Sequence, residues 1–196
     1  MNRHLKLTAP LLLAGALLGA CAAPAPTQRL PDMTFAHLQA FNIDVAKIEI
    51  ENRFSPPAAM PHVEHLIPTS PAAALEQWVK DRFRPVGNTG TLRLIIEDAK
   101  ATETALALDK SLKGRLTKQQ SRRYETSVRA TLELRNATGI ALGSASASAE
   151  RSITAREDIS INDREKLWYE TVNNLMDDYN ATMESNVQRF LKRWLR

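Results

Sequence analysis

Hydrophobic and polar residues alternate most clearly between positions 124 and 135. Tyr124, Thr126, Val128, Ala130, Leu132 and Leu134 fall on one side, and Glu125, Arg129, Glu133 and Arg135 on the other. A period of two predicts a strand with one buried face. Asn136-Ala137-Thr138-Gly139 predicts a hairpin turn. The returning strand, about 140–153, sets Ala145, Ala147 and Ala149 against Ser144, Ser146 and Ser148. Alanines on the buried side let a helix approach closely. Residues 91–99 predict a further strand, with Leu92, Leu94 and Ile96 on one face. Between 41 and 52 the alternation runs through Phe41, Ile43 and Val45, then resumes one residue out of phase at Ile48 and Ile50. This predicts one strand with a β-bulge near Ala46-Lys47.

Two segments change to the helical period. Ser70-Pro71 is a helix start, and Leu75, Trp78, Val79 and Phe83 recur at helical spacing before Pro85-Val86-Gly87 ends the run. This predicts a helix over about 71–84. Ser160-Ile161-Asn162-Asp163 resembles a capping box and opens a longer amphipathic stretch, 163–195. Its stripe is Trp168, Val172, Leu175, Met176, Tyr179, Met183, Val187, Phe190, Leu191 and Trp194. Such a helix is about 50 Å long, more than cover for a four-stranded sheet requires. The distal part of the stripe, Phe190-Leu191-Trp194-Leu195 with interleaved basic residues, is read as core, with contact to a membrane or partner as the other option.

The predicted fold is α+β, in the order β-α-β-β-β-α. Two helices, the C-terminal one long, cover one face of a four-stranded, mostly antiparallel sheet, a two-layer sandwich. The β-α-β start implies parallel strands. With 196 residues, 43% hydrophobic and 24% charged, the chain fits one globular domain with tails.

The first residues carry a separate signal. Arg3 and Lys6 precede an apolar run from Leu7 to Leu18, broken only by Thr8 and holding Pro10. The run is shorter than the roughly 20 residues a spanning helix needs, so it predicts a secretory signal peptide. The only cysteine stands at its end, in Leu18-Gly19-Ala20-Cys21. These four residues resemble the lipobox of bacterial lipoproteins. An ordinary signal peptide cut near Ala20-Cys21-Ala22 is the alternative. The resemblance implies that residues 1–20 are removed and that Cys21 is acylated. Residues 21–38 are then a Pro/Ala tether and 39–196 the domain. It further implies a protein tied to the cell envelope and facing the periplasm, with Ala22 favouring the outer membrane. Loss of Arg3 and Lys6 lowers the formal charge from +4 to +2. No thiol then remains for disulfides, metals or catalysis.

Candidate chemistry elsewhere is sparse. His62-Val63-Glu64-His65 does not match the spacing of HExxH or of its inverted form, and Pro61 and Pro68 disfavour a helix there. Polar side chains docking the proline-rich stretch 55–68 are the expected reading. No GxSxG, P-loop or GxGxxG motif occurs. Asp177-Asp178, Glu184 and Glu97-Asp98 read as solvated carboxylates, so neither an enzyme nor a cofactor is expected. The segment 106–123 is distinctive. Lys110, Lys113, Arg115, Lys118, Arg122 and Arg123 face one anion, Asp109, with Leu106, Leu108, Leu112 and Leu116 among them. Two readings stand: a loop that docks anionic lipid or an acidic partner, and a solvated insertion. Nucleic acid is not expected in that compartment at so low a charge.

By element order alone, the chain is similar to auxiliary lipoproteins of ABC-type lipid transport and to the lipopolysaccharide-assembly lipoprotein. The resemblance implies an accessory subunit of an envelope transport or assembly complex, without enzymatic activity. A regulator of a peptidoglycan synthase and an unrecognised hydrolase are the alternatives.

Overall fold

The structure, a computed structural model, describes residues 30–111 and 117–196. The elements in chain order are β1 (Phe41–Ile43), β2 (Lys47–Asn52), α1 (Pro71–Arg82), β3 (Phe83–Pro85), β4 (Thr91–Ala105), β5 (Gln120–Arg135), β6 (Ala141–Arg156) and α2 (Ile161–Phe190). A 3-10 turn at Lys192–Trp194 follows α2. The main sheet has the order β2-β4-β5-β6. β2 pairs parallel with β4, and β4, β5 and β6 form an antiparallel meander. The α+β class, the four-stranded sheet and the long C-terminal helix agree with the pattern of the chain.

Several boundaries differ, each for a tertiary reason. Residues 41–52 are not one bulged strand. β1 pairs parallel with β3 in a separate two-stranded sheet, while β2 joins the main sheet. The slip at 44–46 marks a change of sheet. α1 stops at Arg82 because Phe83 is the partner of Phe41, its ring stacked 5.4 Å away. β4 and β5 continue to Ala105 and back from Gln120, since each supplies the other's hydrogen-bonding partners. At about 3.4 Å per residue these strands are about 50 Å long. The 30 residues of α2 span about 45 Å, so helix and sheet match in length.

The folded part also begins earlier than residue 39. Met33 and Phe35 are buried in the core, where Phe35 N–H donates to Asp81 at 2.8 Å and Thr34 Oγ1 donates to the same oxygen at 2.9 Å. Met33 and Phe35, assigned from the sequence to the tether 21–38, therefore belong to the folded part.

The core lies between the sheet and both helices. Leu92, Leu94, Ile96, Val128, Ala130, Leu132 and Leu134 meet Trp78, Val172, Leu175, Met176 and Tyr179. Trp78 links the helices: its ring sits edge-on to Tyr179 at 5.2 Å, and its Nε1 donates to Asn180 at 2.9 Å. Burial pushes the Tyr179 phenol well above its ordinary pKa, so it stays neutral. Ala145 and Ala147 are buried on the helix side of β6. The opposite face of the sheet is a polar lattice. Arg93 lies 3.0 Å from Glu51 and 3.5 Å from Glu49, Ser127 Oγ donates to Asp98 at 2.5 Å, and Thr131 Oγ1 donates to Glu97 at 3.0 Å.

Candidate functional site

The lipobox residues Leu18, Gly19, Ala20 and Cys21 lie outside the described residues. So do Lys113 and Arg115, together with Leu112 and Leu116. The remaining four cations of 106–123 do not form one loop. The connector is 106–119, because Arg122 and Arg123 belong to β5. Arg122 lies 2.8 Å from Glu103 on β4. Lys118 lies 2.5 Å from Asp158, and that hydrogen bond holds the Asp158 carboxyl below its usual range. Lys110 is exposed. The base of the connector is closed between Asp109 and Gln119: Asp109 N–H donates to Gln119 Oε1 at 2.6 Å, and Gln119 Nε2 donates to the Asp109 carbonyl at 2.9 Å. The expected six-cation array is thus divided between strand and connector, with two members held by carboxylates.

His62 and Glu64 are taken up by structure. Glu64 Oε1 accepts from His62 Nδ1 at 3.0 Å and from the Ala101 N–H at 2.8 Å. Around them Val63 N–H donates to the Ala101 carbonyl and Glu103 N–H to that of Pro61. The segment is stitched along β4, and the side chains dock the proline-rich stretch as its sequence suggests. His65 is exposed. No group of three His, Cys, Asp or Glu side chains suited to a metal occurs among the described residues. No helix among them is long and apolar enough to cross a membrane.

The other end of the sheet concentrates unusual surface. Strand register brings Lys47, Thr91, Arg135 and Ala141 to this end, opposite Ala105, Arg122 and Ala155 at the connector end. α2 finishes at this same end, and residues 191–196 turn back onto β1. Asp44 N–H donates to the Trp194 carbonyl at 2.9 Å, and Arg196 N–H to that of Asn42 at 2.9 Å. Arg196 also reaches Asp44 through its side chain. Leu191 is fully buried, and Trp194 and Leu195 pack partly against the core. Gly143 on β6 makes room for this, because a Cβ there would stand 2.8 Å from the Trp194 ring. The distal stripe is therefore core at Leu191, but Phe190 is 50% exposed. Arg189 lies over the Phe190 ring at 5.2 Å, and Arg193 over the Trp194 ring at 3.8 Å. Ile140 and Leu142, exposed on the adjacent hairpin, add apolar surface, and Arg193 reaches the Leu142 carbonyl at 3.4 Å. A depression of about 360 Å³ beside this end is lined by Gln39, Asn42, Glu184, Gln188, Lys192 and Arg196, among others.

The sequence pattern did not expose the role of Arg82. Only tertiary structure shows a guanidinium 1% exposed at the junction of α1, α2 and residue 39. A cation inside an amphipathic helix carries no local mark of burial.

No protein-family model matches the chain, and no curated protein matches it. Among solved structures, the 2.35 Å crystal structure of a minor lipoprotein from Acinetobacter baumannii is similar over 74% of this chain and 91% of that one. The identity is 13% and the TM-score 0.33, too low for a fold or a function to be carried across.

Proposed function

We propose that this chain is a bacterial envelope lipoprotein, acylated on Cys21 and facing the periplasm from the outer membrane. It acts without catalysis, as an accessory or assembly subunit of a transport or lipid-trafficking complex. The observation that carries the reading is the position of Cys21. The only thiol of the chain closes a cationic and then apolar leader, a dozen residues before the backbone locks into the core at Met33 and Phe35. An acyl chain contributes about 0.8 kcal/mol per buried CH₂, so two or three of them hold a domain on a bilayer without a spanning helix. The paired charges of the open sheet face and the stitched proline-rich segment suit a rigid binding module.

Mass spectrometry of the protein purified from membranes tests the anchor. Loss of residues 1–20 and a lipid-sized mass on the Cys21 peptide are expected. A chain that keeps its first twenty residues, or an unmodified cysteine, overturns the reading. Crosslinking in intact cells tests the role: transport-complex subunits are the expected partners, and recovery of a wall synthase in their place overturns it.

A further inference from the structure

We infer that the end of the fold carrying Phe190, Trp194, Arg189, Lys192 and Arg193 is the face that docks onto an anionic bilayer surface, which turns the opposite end of the sheet, at Ala105, Arg122 and Ala155, away from the membrane. The inference rests on the acylation of Cys21 proposed above.

The first argument is the place where the chain enters the fold. Thr34 and Phe35 are bonded to Asp81, and the Gln39 carbonyl accepts from Arg82, both in the last turn of α1. From there β1 runs beside β3 and the returning residues 194–196. Entry point and C-terminal end are thus at the same end of the sheet. Twelve peptide links separate Cys21 from Met33, and whatever path they take they span at most about 40 Å. Ala105 and Arg122, at the far end of β4 and β5, lie a further strand length away, about 50 Å. An acylated Cys21 therefore keeps the Phe190 end within about 40 Å of the bilayer, whereas a domain upended onto Ala105 and Arg122 would need about 50 Å.

The second argument is chemical. Arg189 and Arg193 each lie over an aromatic ring, and Lys192 is exposed between them. Rings seated at headgroup depth with cations level with the phosphates are the arrangement that membrane interfaces select. Ile140, Leu142 and Phe190 supply apolar surface that the fold itself leaves uncovered. At the connector end, by contrast, Lys118 and Arg122 are held by Asp158 and Glu103.

The test uses the full chain, acylated in cells and reconstituted in vesicles of phosphatidylcholine with about 30% phosphatidylglycerol. Gln188→Cys and Lys110→Cys, both at exposed positions, take a thiol-reactive fluorophore at opposite ends. A shallow lipid-phase quencher should remove most of the emission at position 188 and leave that at 110 intact. Arg189→Gln, Lys192→Gln and Arg193→Gln should each lower the ratio of docked to undocked domain about fivefold. Equal emission at the two positions, quenching at 110 instead, or no response to these substitutions overturns the inference. Protection of position 188 that rises with protein concentration in detergent, without vesicles, shows that a second copy covers this face and also overturns it. The mass of the Cys21 peptide from the same sample separates the two readings. An acylated cysteine with an unquenched 188 defeats the docking face alone, whereas a cysteine without lipid defeats the lipoprotein reading and the docking with it.

Discussion

Glu184 on α2 places a carboxylate oxygen 2.6 Å from Nη2 of Arg82, 102 residues earlier on α1. The pair is asymmetric: the arginine side chain is 1% exposed and the glutamate 48%. Arg82 also donates to the Gln39 carbonyl and lies over the Phe41 ring at 4.9 Å. One cation thus ties both helices to the point where the chain enters the fold. Burial lowers the Arg82 pKa, and Glu184 opposes that shift.

This asymmetry predicts unequal costs. Glu184→Ala leaves a buried guanidinium without its counter-charge and should lower stability by about 2 kcal/mol, below the full cost of a fully buried pair because water reaches the glutamate. Arg82→Met retains most of the volume and frees Glu184 to solvent, so about 1 kcal/mol is expected. Urea unfolding of the two variants decides the order, and a larger loss for Arg82→Met contradicts the account.

Asp81 sets a pH dependence. Burial works against its ionised form, but hydrogen bonds from Phe35 N–H, Gln77 and Thr34 more than offset that and hold the carboxyl below its ordinary value. A depressed acid stabilises the fold above its unfolded pKa, about 4, and that contribution is lost as pH falls through the folded value. The attachment of residues 34–35 should therefore loosen below about pH 4, seen as faster proteolysis near Met33. Asp81→Asn should flatten this pH response, and an unchanged profile counts against it.

Gly143 lies under the C-terminal turn. In Gly143→Ala the new methyl would meet the Trp194 ring at 2.8 Å and Leu191 at 3.3 Å. Overpacking of this kind costs about 1–2 kcal/mol, and the displaced indole should shift its emission toward that of a solvated tryptophan. Wild-type fluorescence and melting temperature in this variant refute the packing described.

Glu64 predicts a structural role for the His62–His65 segment. Glu64→Ala removes the acceptor of the Ala101 N–H and should lower stability by about 1–2 kcal/mol. Zinc or a chelator should leave the melting temperature of the native chain unchanged. A rise with zinc that vanishes in His62→Ala assigns this segment to metal binding instead.

Local signals made some elements legible. Ser70 caps α1 by accepting from the Ala73 N–H, and Ser160 caps α2 through the Asp163 N–H, because a cap is decided within four residues. The alternation over 124–135 located β5, and the alanines of β6 located the face that α2 covers, because side-chain period reports burial directly. The lipobox resemblance at Leu18–Cys21 is likewise a matter of adjacent residues. Long-range pairing decided the rest. A one-residue phase slip reads the same whether a strand bulges or changes sheets, and only the pairing of Phe41 with Phe83 distinguishes the two. The basic run 106–123 divided once Glu103 and Asp158 came within reach of Arg122 and Lys118. The burial of Arg82 and Phe35, and the meeting of the chain's entry point with the end of α2, depend on residues many tens of positions apart. No periodicity encodes such contacts, because their energy exists only once the layers have packed.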